Sequence, residues 1–345
     1  MSLSLETVRA WPQTDCRARF REQVEDFQVN EVLGFEPDGS GEHVFLELEK
    51  TNLNTEDVAR RIARLAGVRQ MDVGYSGMKD KRAVATQWFS IYLANQPEPD
   101  WRELEAEDLR LLRVSRHRQK LRRGQHLGNH FEIRLRELEG DFERLEPVLV
   151  ALREQGFPNY FGEQRFGIRG ANLDRAENLF RGELRQRDRH KRSIYLSAAR
   201  SWLFNQVLSR RVERGVWCQL IEGDQPEETP HRDWEILTAV PTGPLYGDGP
   251  VTTEAQAGLV EQEVAEAHPL FIEGLKSQRL RPERRALVAF PIGLTWTRDG
   301  HDLVLRFALG RGSFATAMLG ECVELVSTWY ESERGGPATP AQPAP

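Results

Sequence analysis

The sequence predicts an α+β protein in which one domain interrupts another. Three observations lead there. Strand-like alternation dominates up to about residue 140, in an order that suits a mixed or antiparallel sheet with helices packed on it. The texture changes near Gln155, where a stretch rich in glycine and aromatics gives way to helical patterns. A strand pattern then returns in "DLVLRFAL" and turns through glycines into a last helix.

The elements follow in order. "EDFQVNEVLGF" places Phe27, Val29 and, less cleanly, Glu31 on one parity, a short strand. "PDGSGE" is a turn, because Gly and Asp supply tight backbone angles. "HVFLELEK" alternates Val44, Leu46 and Leu48 against Phe45, Glu47 and Glu49, a strand with one buried face that pairs with the first as a hairpin. "NTEDVARRIARLAGV" is a helix capped by Asn54 or Thr55, with Val58, Ile62 and Leu65 as its apolar stripe and Gly67 as its stop. "TQWFSIYLA" and "HFEIRLREL" are further strands, and Asp141 to Gln155 is a helix. Beyond Gln155 the best helical pattern is "SAARSWLFNQVLSRRVERG", with Ser197 as its cap, while "VPTGPLYGDGP" is loop. Ser313 caps the last helix. The Pro/Ala/Gly-rich tail, 335–345, is expected to be disordered.

Composition bounds the function. The 345 residues suggest two domains, and 39% hydrophobic with 29% charged residues is ordinary for a soluble globular chain. No apolar run approaches the ~18 residues of a membrane span, and the N-terminus lacks the pattern of a signal peptide. Cys16, Cys218 and Cys322 are odd in number and far apart, which argues against disulfides and a CxxC metal site and fits a reducing cytoplasm. The net charge of −6 weighs against a nucleic-acid binder. Its distribution weighs the other way. Arg113–Arg123 holds six Lys/Arg and no acid, and Arg181–Arg192 holds six against two acids. Each alone is an ordinary solvated face; together they suggest basic patches that grip a polyanion.

The chemistry centres on "GYSGMKDKRAVATQWFS", residues 74–90. It is not a phosphate-binding loop, since Asp80 stands where Ser or Thr would hold magnesium. "DGSGEHVFLE" lacks the acidic ligands of a calcium loop, and no HExxH, paired CxxC or GxSxG occurs. What remains is a carboxylate kept ionised by Lys79, Lys81 and Arg82, able to act as nucleophile or general base. The plainer alternative is a solvated surface turn. In "QHLGNHFEIRLR", Asn129 can meet a base edge and Phe131 can stack on a base, or they are a turn residue and a core residue. "GRGSFATAML" sets backbone N–H groups and Phe314 at a helix start, which holds an anion or is simply capped. His126 and His130 lie on a turn–strand segment, so a metal pair is not expected.

Taken together, "EDFQVNE", "GYSGMKDKRAVATQWFS", "LGNHFEIRLR", "PNYFGEQRFG", "SAARSWLFNQVLSRR" and "GSFATAML" resemble, in order and spacing, the TruD family of tRNA pseudouridine synthases. The resemblance spans residues 15 to 330 or so. It implies an isomerase, an intramolecular transferase that converts uridine 13 of tRNA to pseudouridine, with Asp80 as the catalytic nucleophile on a flipped-out uridine. It implies that Phe27, Asn129 and Phe314 line the uridine pocket, and that Arg21 is the basic group beside the aspartate, where many relatives are expected to have Lys. Phe131 stands where related synthase families have Tyr, and Lys79 joins it on the substrate side. No cofactor and no metal is implied. The partner is tRNA, with no membrane and no protein partner, and the chain is expected to be a cytoplasmic monomer. The implied layout is a pseudouridine-synthase core with a mixed/antiparallel sheet and central cleft at 1–154 and 304–334, and an inserted α/β TRUD domain at 155–303. The competing classes are a non-catalytic RNA-binding or chaperone protein on the same scaffold and a uridine-specific glycosidase.

Overall fold

The computed structural model describes residues 3–93, 97–250 and 252–326; the tail at 335–345 lies outside these. The chain forms an α+β structure of two compact units. One, the sheet unit, comprises Arg17–Glu139 and Leu294–Gly312, with Leu325 and Val326. The other, the helical unit, comprises residues 3–16, Gly140–Gly293 and Ser313–Glu324. Among the described residues no helix is long and apolar enough to cross a membrane.

The sheet unit holds strands β1 (Arg17–Phe20), β2 (Phe27–Val32), β3 (His43–Thr51), β4 (Val73–Tyr75), β5 (Val84–Tyr92), β6 (Leu109–His117) and β7 (Gly128–Glu139). A late strand, Asp302–Gly310, pairs antiparallel with β7, and the sheet continues in the order β7–β2–β5–β3–β6. The pairing of β2 with β5 is parallel, whereas β2/β7, β3/β5 and β3/β6 are antiparallel, so the sheet is mixed.

The expected hairpin of β2 with β3 does not form, because β5 lies between them. The reason is burial. Seven consecutive residues of β5, Ala85 to Ile91, are buried, and a strand buried on both faces belongs in the middle of a sheet. β3 is likewise buried on both faces. Val44, Leu46 and Leu48 pack against Val58 and Ile62 of helix α1 (Thr55–Leu65). Phe45 packs with Leu33, Trp88 and Leu121 on the other side. The chain turns out of α1 through Gly67, whose φ of +65° is open to glycine at no steric cost.

In the helical unit, α2 (Phe142–Gln155) is capped by Asp141, whose carboxylate accepts from the Glu143 N–H at 2.9 Å. A short helix, α3 (Ala171–Phe180), and a long one, α4 (Arg189–Glu213), carry much of the core, including Trp202, Leu203, Phe204 and Leu208. Ser197 is not a cap but lies inside α4. Asp188 starts the helix earlier by accepting from the N–H groups of His190 and Lys191 at 2.8 and 3.2 Å. Of the stretch expected as loop, Val240–Pro250, the first part belongs to a strand, Leu237–Leu245, and residues 246–250 are loop as expected. The strand's first half pairs only with Pro226–Pro230 and its second only with Glu283–Ala286. Each half is therefore an edge, where Pro241 and Pro244 are tolerated without an N–H. Near the end of the chain the helix Ala315–Cys322 has Phe314, not Ser313, at its cap position, with no side-chain cap bond.

Gly74 of β4 marks a tight approach. A Cβ there would stand 2.3 Å from the Leu121 carbonyl and 2.6 Å from Ser90 Oγ. Ser90 Oγ also accepts the Leu121 N–H at 2.9 Å, so neither neighbour is free to move. Gly74→Ala is expected to cost about 2–3 kcal/mol, as overpacking does. Gly320→Ala, with open space around its Cβ inside a helix, is expected to gain up to about 1 kcal/mol. Urea-unfolding midpoints of the two variants check both signs.

Candidate active site

Strand register assembles one face of the sheet unit. Residues opposite one another in a sheet point the same way. Glu31 of β2 faces Asn129 of β7, Val29 faces Phe131, and Phe131 in turn faces Phe307. Val29 and Lys50 both pair with Ala85, and Leu48 pairs with Gln87. Phe27, Glu31, Lys50, Gln87, Asn129 and Phe131 therefore share one face, the face covered in part by α1.

The turn between β4 and β5 is tied to that face at successive residues. The Gly124 N–H donates to the Ser76 carbonyl at 2.8 Å, and Gln87 Nε2 donates to the Gly77 carbonyl at 2.6 Å. Thr55 Oγ1 accepts the Lys79 N–H at 3.0 Å and donates to Gln87 Oε1 at 2.9 Å. Lys50 Nζ donates to the carbonyls of Asp80 and Leu53, each at 2.7 Å. Arg82 Nη2 donates to the Glu22 carbonyl at 2.6 Å. Thr55, not bonded as a helix cap, spends its hydroxyl on this turn.

The Asp80 carboxylate is about one-third exposed and accepts from Arg21 Nη2 at 3.1 Å, while the Arg21 side chain is only 5% exposed. Arg21 sits at φ +59°, a left-handed conformation that costs a non-glycine residue roughly 1–2 kcal/mol. Its guanidinium lies 3.7 Å from the centroid of the Phe27 ring and 5.0 Å from that of Phe20, and its buried Nε has no hydrogen-bond partner among the described residues. Backbone strain and a desolvated cation are thus held in place by a carboxylate and two aromatic rings.

Lys79 does not serve Asp80 as expected from the sequence. Its ammonium stands 2.6 Å from Glu31 Oε2 and donates to Asn129 Oδ1 at 2.6 Å. Burial pushes the Glu31 carboxyl up, and the Lys79 charge pulls it back. With its oxygen taken by Lys79, Asn129 is left with its two amide N–H groups to offer. Phe131 contacts Phe27 edge-on at 5.9 Å and stacks on Phe307 at 5.3 Å. His126 Nδ1 is 2.6 Å from Ser76 Oγ, and burial with the Lys79 and Arg311 charges pushes its imidazole down to about 4, so it is neutral at pH 7. The basic run on β6 is partly neutralised: Arg113 pairs with Glu36 at 2.6 Å and Arg116 with Glu98, whereas Arg122 and Arg123 are exposed. Phe314 belongs to the helical unit, its ring 6.3 Å from that of Phe161.

The family model for tRNA pseudouridine synthase D (TruD) matches residues 7–187 and 171–322. The chain belongs to the TruD family. It is 47% identical over 332 residues to the tRNA pseudouridine synthase D of Methylococcus capsulatus (strain ATCC 33009 / NCIMB 11132 / Bath), covering 92% of this chain and 94% of that one. It is 42% identical to that of Ectopseudomonas mendocina (strain ymp), covering 94% and 96%. A solved structure from Methanosarcina mazei assigned to TruD shares the fold at a TM-score of 0.70 and 21% identity, over 91% of this chain and 95% of that one.

For a TruD chain read only by its motifs, Lys50, Thr55 and Gln87 pass unnoticed. A signal for two of them was present. Lys50 continues the parity of Val44, Leu46 and Leu48, and Gln87 sits on the parity of Ala85 and Phe89. A polar residue on an apolar parity is buried with its polar group, and that group needs a partner. The partners here are carbonyls of the Asp80 turn.

Burial pushes the Lys50 ammonium down to about 8, with Asp80 opposing and Lys79 assisting the shift. The unfolded chain keeps this proton to a pH of about 10.4. Between those values the unfolded state binds more protons, so the Lys50 contribution to stability grows as pH rises through 8 and is lost as pH falls back. A neutral amine still has two N–H groups for its two carbonyls. Urea unfolding of the parent and Lys50→Met from about pH 7.5 to 9.5 should show the difference moving in favour of the parent by about 1 kcal/mol per pH unit. A difference independent of pH contradicts this assignment.

Proposed function

We propose that this chain isomerises uridine 13 of tRNA to pseudouridine, with Asp80 as the nucleophile on an everted uridine. The observation that carries the reading is a partly exposed carboxylate on a clamped turn, bonded to a buried arginine and set on a face bearing Asn129 and Phe131. The names of its relatives, tRNA pseudouridine synthases D, supply the substrate class.

The reaction breaks the C1′–N1 bond and forms C1′–C5. The C5 proton is lost and N1 gains one, so nothing is oxidised or reduced. The chain's task is to hold the nucleotide, supply one anionic oxygen at the sugar–base junction and keep water from the freed uracil. Asp80 supplies that oxygen, aimed by its bond to Arg21. The Asn129 amide donates to a uracil carbonyl, an orientation that the Lys79–Glu31 pair enforces. Phe131 and Phe27 give the base an aromatic wall. The basic runs hold the tRNA backbone, and the enzyme acts as a cytoplasmic monomer.

Asp80→Ala and the isosteric Asp80→Asn should each lose about a thousandfold or more of single-turnover pseudouridine formation. Both should bind an unmodified tRNA transcript with affinity within a few-fold of the parent. Mapping the modified position after reaction tests the site. Equal product from parent and variants overturns the role of Asp80. Binding without product in the parent favours a plain RNA-binding protein, and release of free uracil favours a glycosidase.

A further inference from the structure

We propose that the helical unit carries a site for one phosphodiester group of an RNA strand, in a pocket built around Arg165 and Arg200. The inference rests on the reading of the chain as an RNA-modifying enzyme and adds a contact made by residues other than those assigned to the uridine. The pocket has a volume of about 280 Å³ and lies against α4, with Phe161 and Leu196 among its apolar lining. Ser193, Ser197 and Ser201 all line it. On a helix, positions i, i+4 and i+8 fall along one face, so three hydroxyls form a row.

Arg200 keeps one long ion pair, to Glu283, and Arg165 has none among the described residues. Arg200 Nη2 donates to the carbonyls of Leu245 and Arg281 at 2.8 and 3.0 Å, which fixes its guanidinium, and its buried Nε has no hydrogen-bond partner among the described residues. Glu283 Oε2 stands 3.7 Å from Arg200, beyond hydrogen-bond range. Arg165 lies 5.2 Å from the Phe161 ring centroid and reaches Ser197 Oγ at 3.3 Å, with no ion-pair partner among the described residues. Arg285 lies 4.2 Å from the centroid of the same ring. Burial, and after it the Arg165 charge, disfavours the Arg285 cation.

An anion with several acceptor oxygens fits this arrangement. Guanidinium forks and hydroxyls match phosphate oxygens, and an anion between the guanidinium groups relieves their repulsion. The volume falls just short of the ~300–1,000 Å³ that holds a drug-sized ligand, so the pocket suits a phosphate and part of a ribose rather than a whole nucleotide. Such a contact positions a strand without reading its sequence. RNA is favoured over a free anion by continuity. Arg189–Arg192, the first turn of α4, leads directly into Ser193, so the pocket ends a cationic track on one helix.

The test uses the full chain and an unmodified tRNA transcript. Affinity is measured from about 50 to 200 mM salt for the parent, Arg165→Gln and Arg165→Lys. Arg165 is exposed, so the variants should fold, and equal melting temperatures check this. Arg165→Gln should weaken binding about tenfold at the low-salt end and reduce the slope of log Kd against log salt by about one. Arg165→Lys should restore the slope. An unchanged slope and affinity in Arg165→Gln overturns the proposal, as does a parent that does not bind tRNA. If inorganic phosphate raises the melting temperature of the parent but not of Arg165→Gln while the tRNA slopes agree, the site holds free phosphate and the RNA assignment falls. Pseudouridine formation is scored separately at saturating tRNA. Product with an unchanged slope sinks only the pocket, whereas an Arg165-dependent slope without product sinks only the catalytic reading.

Discussion

The contact between Arg21 and Asp80 joins the two ends of the site's logic, since one residue is buried and strained and the other is clamped and partly open. A guanidinium stays charged at any relevant pH, so burying it beneath the sheet's aromatic face demands an anion. The carboxylate at residue 80 answers that demand, and the demand in turn fixes where the carboxylate points. Phe27 closes the arrangement by stacking under the cation at 3.7 Å. Without Asp80, the fold would hold a desolvated charge on a residue already in a costly backbone conformation. Strain of this sort persists only where the surroundings over-determine it, and such places tend to be functional.

The turn itself is stiffened by polar groups buried where the strand pattern calls for apolar ones. Lys50, Gln87 and Thr55 each give their polar atoms to its backbone, and each is buried. Glu31 and Lys79 form a second buried pair that ends on Asn129. Breaking a buried pair by removing one partner typically costs about 3–5 kcal/mol, whereas replacing both with well-packed apolar groups is often harmless to stability. Stability alone therefore gives little reason to keep such a pair. Orientation of the Asn129 amide gives a specific one.

Much of this was legible from residue patterns. The 3.6-residue spacing of Val58 and Ile62 located α1, and alternation located the strands at Phe27, His43 and Asp302. Adjacency along the chain misled where β5 enters between β2 and β3, because the continuous burial of β5 outweighs the preference of neighbouring strands to pair. Prolines misled at 241 and 244, since a strand that is an edge along each half accepts them. At the site, local reading surrounded Asp80 with Lys79, Lys81 and Arg82. The cation on its carboxylate comes instead from 59 positions away. No local window contains that contact, and only the family resemblance pointed to residue 21. The pairing of Lys79 with Glu31 was hidden for the same reason, although Glu31 had already stood out as an acid on an apolar parity.

The account turns on Arg21 acting through the carboxylate it holds. The direct measurement is the single-turnover rate of pseudouridine formation by Arg21→Gln at saturating tRNA, with the dissociation constant measured alongside. A misplacement of the reacting group by about 1 Å is worth roughly a hundredfold in rate, so a loss of about that size with nearly unchanged binding is expected. A rate within twofold of the parent would show that Asp80 needs no such partner and would contradict the account.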